Sequence, residues 1–173
     1  MCRIKEVTYS KAKGRLNVTE SIRMSDVTFR RTRTKDLAVL TLRGGKAERP
    51  RELQEIKLAS QPSILCPVKA VRRRLSEARG IDTSILGYFF EGRRNHLTRE
   101  TVISRIQSIL REENFSGITG HSFRVGGASL RHALGVPINQ ICTLGRWKSA
   151  AYKVYLKAYT DEEVREAVDL LKP

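Results

Sequence analysis

The chain reads as an α+β protein, mainly α-helical, with a small three-stranded antiparallel sheet near its N-terminus. Three observations predict this class. Segments of strand composition crowd the first third, and turn residues separate them. From Cys66-Pro67 onward, apolar residues recur at helical spacing between capping residues and glycines.

Taken in order, residues 1–9 read as the tail of a helix, with Ile4 and Val7 apolar and Glu6 polar. Residues 10–25 are polar and interrupted by Gly14, which predicts loop with a short strand. Val27-Thr28-Phe29 and Leu37 to Leu42 have strand composition, and the basic segment Arg30 to Asp36 turns between them. Gly44-Gly45 marks a second turn, and Leu53 to Leu58 forms a third strand with Leu53, Ile56 and Leu58 apolar. Pro67 suits the first position of a helix carrying Val68, Val71 and Leu75 on one stripe and stopping at Gly80. A second helix begins at Thr98 and carries Val102, Ile103, Ile106, Ile109 and Leu110. A third runs from about Ser122 to Leu134, and a fourth from Pro137 to Gly145. Ser149 caps a fifth, on which Tyr152, Tyr155 and Tyr159 would share a face. Thr160-Asp161-Glu162-Glu163 has the form of a capping box and opens a sixth.

Bulk properties narrow the function classes. With 173 residues, 40% of them hydrophobic, the chain can bury one ordinary core and reads as a single domain, 1–173. No run approaches the ~18 apolar residues of a membrane span, and the N-terminus has no signal-peptide pattern. Cys2, Cys66 and Cys142 are odd in number and widely spaced, which predicts reduced thiols in an intracellular protein and no metal cluster. Charge is more telling. The net +15 is uneven: residues 116–160 hold six Lys or Arg and no carboxylate, whereas residues 161–173 hold two against five. A 45-residue stretch without an acid suits a polyanion, and nucleic acid is the expected partner.

That acid-free stretch contains the candidate chemistry. His121 and Arg124 lie three apart at a helix start, so both project from one face. Arginine offers two parallel donors to phosphate oxygens, and histidine moves protons near neutral pH. By itself His-x-x-Arg arises by chance in roughly one chain in five of this length. Trp147, the single tryptophan, offers an indole N–H donor that cannot ionise. A lone Trp is more often a core residue, although flanking Arg146 and Lys148 argue for an edge near solvent. A phenol ionises near ~10 and becomes a nucleophile only where cations stabilise its anion. Lys148, Lys153 and Lys157 supply such a setting around the tyrosines.

His121-x-x-Arg124, then Leu144-Gly145-Arg146-Trp147, then a tyrosine eight residues beyond Trp147 resemble the catalytic domain of the tyrosine recombinases (phage integrase-like enzymes). The run Gly145 to Leu156 looks most like eukaryotic mobile-element members of the Crypton and DIRS type. Two further groups match. Arg3-Ile4-Lys5-Glu6-Val7 resembles the family's Arg-x-x-Glu-Leu helix, and Lys46, after Gly44-Gly45, falls where the family carries its sheet-turn lysine. Ile64 to Val71 resembles the Cys-Pro-Val helix start of the same element-encoded proteins.

The resemblance implies a DNA strand-cleaving and rejoining enzyme acting in site-specific recombination or integration of a mobile element. Its implied catalytic residues are Arg3, Lys46, His121, Arg124, Trp147 and Tyr155, with Tyr155 as nucleophile by its offset from Trp147. Arg43, Arg146, Lys148 and Lys153 are the implied DNA contacts. It implies double-stranded DNA as partner, no metal or nucleotide cofactor, and a homotetramer on DNA in which residues 161–173 dock on a neighbouring protomer. A nuclear location would follow in a eukaryote. The family has an apolar helix and a DNA-clamping domain before the matching arginine, so the chain is expected to be an N-terminally truncated catalytic domain. Two other readings stay open: a non-catalytic DNA-binding remnant of such an element, and a type IB topoisomerase that relaxes DNA by the same chemistry.

Overall fold

The computed structural model describes residues 2–42 and 53–170. Packing divides the chain into two compact units, one spanning Ile4–Val102 and the other comprising the N-terminal Met1–Arg3 with Ile103–Pro173. The class is α+β, with a three-stranded antiparallel sheet in the first unit.

In the first unit the N-terminal helix is a single turn, α1 (Ile4–Val7), followed by loop and a short 3₁₀ turn at Met24–Asp26. Strands β1 (Val27–Arg31), β2 (Asp36–Leu42) and β3 (Gln54–Ala59) form a meander in the order β1-β2-β3, with Phe29 opposite Ala38 and Leu40 opposite Ile56. The expected strands are therefore present. The Gly44-Gly45 turn lies outside the described residues, and Leu53 stands exposed just before β3. β2 is central and buried, because Ala38, Leu40 and Leu42 project from one side into a core shared with Val68 and Val71 of α2 (Pro67–Glu77). Pro67 occupies the first turn of α2, as its lack of an N–H favours.

The helical periodicity after Pro67 gives no sign of the second sheet that the structure contains. The structure inserts a hairpin, β4 (Gly87–Phe90) and β5 (Arg93–His96), closed by Glu91 and Gly92, both at positive φ. β5 reads Arg-Arg-Asn-His and has no strand composition. It is held by side chains instead: the His96 ring bonds the Ser84 hydroxyl at 2.8 Å and the Gly14 carbonyl at 3.0 Å.

The second unit contains most of α3 (Arg99–Glu112), then α4 (Ser122–Ala133), α5 (Ile138–Gly145) and α6 (Asp161–Asp169). α4 is its hub and packs on α5, on α6 and on the segment after Ser149. The capping box forms as read: the Thr160 hydroxyl accepts from the Glu163 N–H, and the Glu163 carboxylate accepts from the Thr160 N–H at 2.7 Å. The expected fifth α-helix does not form. Ser149 does cap, but residues Ala150–Tyr155 wind as a 3₁₀ helix and the chain then extends at Leu156. The Lys157 N–H, which would continue an α-helix, bonds the Ser129 hydroxyl of α4. Tyr159 thus lies outside the helical segment, and the three-tyrosine face does not exist. Among the described residues, no helix is long and apolar enough to cross a membrane.

The Tyr9 side chain anchors the first unit. Its hydroxyl donates to the Ile22 carbonyl at 2.7 Å and accepts from the Leu86 N–H, and only 5% of the residue is exposed. Burial raises its pKa to about 12, against the lowering effect of the Leu86 N–H. The folded chain therefore holds this proton more tightly than the unfolded chain, where the phenol ionises near ~10. Its stabilisation is complete below pH ~10 and declines as pH rises toward 12, by on the order of 2 kcal/mol. Urea midpoints measured from pH 8 to 12 should fall less steeply for Tyr9→Phe than for the wild type. At pH 8 the variant should be about 1–3 kcal/mol less stable, since two buried backbone groups lose a partner.

Candidate active site

Four of the six expected catalytic residues meet in the second unit. His121 is the residue immediately before α4, and Arg124 follows in its first turn. The spacing puts both on one face, as the sequence predicts. The two differ in environment: His121 is exposed, whereas Arg124 is 4% exposed. The Arg124 guanidinium donates from Nη2 to the Gly145 carbonyl at the end of α5. Its Cζ lies 4.5 Å from the centroid of the Trp147 ring and 5.5 Å from that of Tyr155. Both separations are those of a cation held against aromatic faces.

Tyr155, at the last position of the 3₁₀ helix, is flanked by the other two rings. Its centroid is 4.8 Å from Trp147 and 5.0 Å from His121, tilted by 42° and 51°. One proton carrier, one guanidinium and one indole therefore surround a single phenol. The 3₁₀ winding keeps Tyr152 and Tyr155 on one side at three residues per turn. The ring contacts with His121 and Trp147 nevertheless belong to Tyr155, as its offset from Trp147 had suggested.

Local backbone chemistry places the indole. α5 ends in paired bonds, Trp147 N–H to the Cys142 carbonyl at 2.9 Å and Arg146 N–H to the Thr143 carbonyl at 3.2 Å. This is the Schellman arrangement, and it requires a left-handed residue at position 146. Arg146 takes that conformation, φ 54° and ψ 44°, although glycine would adopt it with less strain. The glycine stands one position earlier, where a Cβ at residue 145 would collide with Cε3 and Cζ3 of the indole. Glycine is thus required for the close approach of a ring, and the strained turn falls to its neighbour.

The Trp147 Nε1 atom is buried and has no hydrogen-bond acceptor among the described residues. An unmet buried donor costs roughly 1–3 kcal/mol, and natural proteins rarely keep one without a use.

Of the remaining expected residues, Arg3 is exposed and belongs to the same compact unit as these four. Lys46 and Arg43 lie outside the described residues. Lys148 and Lys153 are exposed and Arg146 is half-buried. Two residues gain their role only in three dimensions. Gly145 stands in the sequence as a helix stop and within the Leu144-Gly145-Arg146-Trp147 run, neither of which shows its steric role against the indole. Ser129, 1% exposed on α4, has its hydroxyl 2.9 Å from both the Tyr155 carbonyl and the Lys157 nitrogen. The signal for Ser129 was weak: a small polar residue in the apolar stripe of α4.

Replacing Gly145 by alanine should expel the indole from its place over Arg124. We expect a shift in the emission of Trp147, the chain's single tryptophan, and a loss of about 1–3 kcal/mol in urea unfolding, the usual range for overpacking.

No protein-family model, no curated protein and no solved structure matches the chain. What the site can do is set by its own residues and geometry.

Proposed function

We propose that this chain cuts and rejoins DNA through a 3′-phosphotyrosyl intermediate, in site-specific recombination or integration of a mobile element. The observation that carries the proposal is the convergence of His121, Arg124 and Trp147 on the Tyr155 ring, from separate stretches of an acid-free region. A structural aromatic cluster needs neither a buried guanidinium nor an unsatisfied indole N–H. A phosphodiester needs both, because charge grows on its non-bridging oxygens as the nucleophile arrives.

In this reaction the Tyr155 hydroxyl oxygen attacks the phosphorus and gives up its proton. The bond from phosphorus to the 5′-oxygen breaks, and that oxygen takes a proton to become a free 5′-hydroxyl. Arg124, with Arg3 in the role the resemblance implies, binds the non-bridging oxygens. The Trp147 N–H donates to one of them, and His121 serves proton transfer and phosphate contact. The resemblance gives Lys46 the role of donor to the departing oxygen. The phosphotyrosyl bond conserves the energy of the broken linkage, so the 5′-hydroxyl of another strand can reverse the step. Arg43, Arg146, Lys148 and Lys153 would hold the flanking phosphates, an electrostatic contact that weakens with salt. Assembly as a homotetramer on DNA, with residues 161–173 on a neighbour, belongs to the same proposal.

The test uses nicked suicide duplexes with a randomised central sequence, scoring covalent protein–DNA adducts. The wild type and Tyr152→Phe should form adduct, Tyr155→Phe none, and Arg124→Ala about 10²–10³-fold less. Absence of adduct with intact DNA binding would instead identify a non-catalytic remnant. Supercoil relaxation without strand exchange between duplexes would identify a topoisomerase.

A further inference from the structure

We propose that Ser129 is a positioning residue whose hydroxyl fixes the backbone presenting Tyr155, and so sets the rate of attack without touching DNA. The inference rests on the nucleophilic role given to Tyr155 above.

The 3₁₀ helix that carries Tyr155 packs on α4 at the surface of the unit. None of its residues is buried, and Val154 is 76% exposed. Six residues is long for a 3₁₀ helix, whose hydrogen bonds are poorer than those of an α-helix. The ring contacts of Tyr155 orient the phenol, and apolar burial of the segment does not fix the backbone that carries it.

Ser129 does what packing does not. Its Oγ lies 2.9 Å from the Val125 carbonyl, 2.9 Å from the Tyr155 carbonyl and 2.9 Å from the Lys157 nitrogen. A hydroxyl has one proton and two lone pairs. The proton is shared between the two carbonyls, and a lone pair accepts from the Lys157 N–H. A serine inside a helix commonly bonds the carbonyl one turn back, and the Val125 contact alone would be only that. The contacts to Tyr155 and Lys157 are different, because they clamp the peptide groups on either side of Leu156 to the hub helix. The chain leaves the 3₁₀ helix there in an extended conformation. Arg124 stands on the same helix, one and a half turns earlier. The clamp thus ties nucleophile and phosphate-binding guanidinium to one rigid element. A misplacement of ~1 Å is enough to slow such a reaction about 10²-fold.

The experiment compares wild type, Ser129→Ala and Ser129→Thr. It reads three quantities: the single-turnover adduct rate at saturating suicide duplex, the Kd for that duplex, and amide exchange at Lys157 together with Trp147 emission. Ser129→Ala should form adduct about tenfold more slowly, as expected for losing buried hydrogen bonds, with unchanged Kd. Its Lys157 amide should exchange faster and its Trp147 emission should change. Ser129→Thr, which keeps the hydroxyl, should recover most of the rate and the slow exchange. A wild-type rate in Ser129→Ala overturns the proposal. So does Ser129→Thr as slow as Ser129→Ala, or a loss confined to Kd. If the wild type forms no adduct, the catalytic reading fails separately. Lys157 exchange and Trp147 emission then decide the positioning role alone, and unchanged values in Ser129→Ala overturn it.

Discussion

An arginine guanidinium is among the few wholly buried groups of the second unit, and much else there follows from keeping it in place. Among the described residues of that unit, Arg124 shares full burial only with Ala128, Ser129, Ile141 and Gly145. Removing such a cation from water costs several kcal/mol unless polar partners replace the solvent. Here the replacements are the carbonyl that ends α5 and the faces of two aromatic rings. Each comes from a different segment, so the need to solvate Arg124 draws α4, the end of α5 and the 3₁₀ helix together. The side chain proposed to bind phosphate is thus also part of the unit's core.

This arrangement explains why irregular backbone collects around the site. The left-handed Arg146 within the Schellman turn that ends α5 and the 3₁₀ winding of Ala150–Tyr155 both depart from the most favourable local choice. Local strain persists where surrounding contacts over-determine it, and it concentrates at functional sites. The run of residues without a carboxylate has the same logic at longer range: an acid beside Arg124 would weaken the positive field on which the proposed phosphate contact depends.

Much of the fold was legible in the sequence because its signals are local. Strand composition at Val27–Phe29 and Leu37–Leu42, Pro67 at a helix start and the Thr160 capping box act over a few residues, and all are present. The β4–β5 hairpin was not legible, because Arg93 to His96 is held by tertiary bonds from His96 to Ser84 and Gly14 and not by propensity. The fifth helix misled for a similar reason. Residues Ala150–Tyr155 favour helix, but their α continuation loses to a bond with Ser129, 28 positions away from Lys157. The site was legible in its members and not in its supports. The resemblance groups His121, Arg124, Trp147 and Tyr155 as candidates, and these four lie together, whereas Gly145 and Ser129 matter only through which atoms lie against them in three dimensions.

The collision that bars a side chain from position 145 has a consequence for how this site can vary. The requirement for glycine there is imposed by the bulk of Trp147, not by the backbone conformation, since the only left-handed residue of this turn is Arg146. Positions 145 and 147 are therefore epistatic. An alanine at 145 displaces an indole from 147 at a cost in stability, and becomes tolerable once a smaller ring such as imidazole stands there. Substitutions at these two positions should accordingly be accepted in one order and rejected in the other, with the tryptophan changing first.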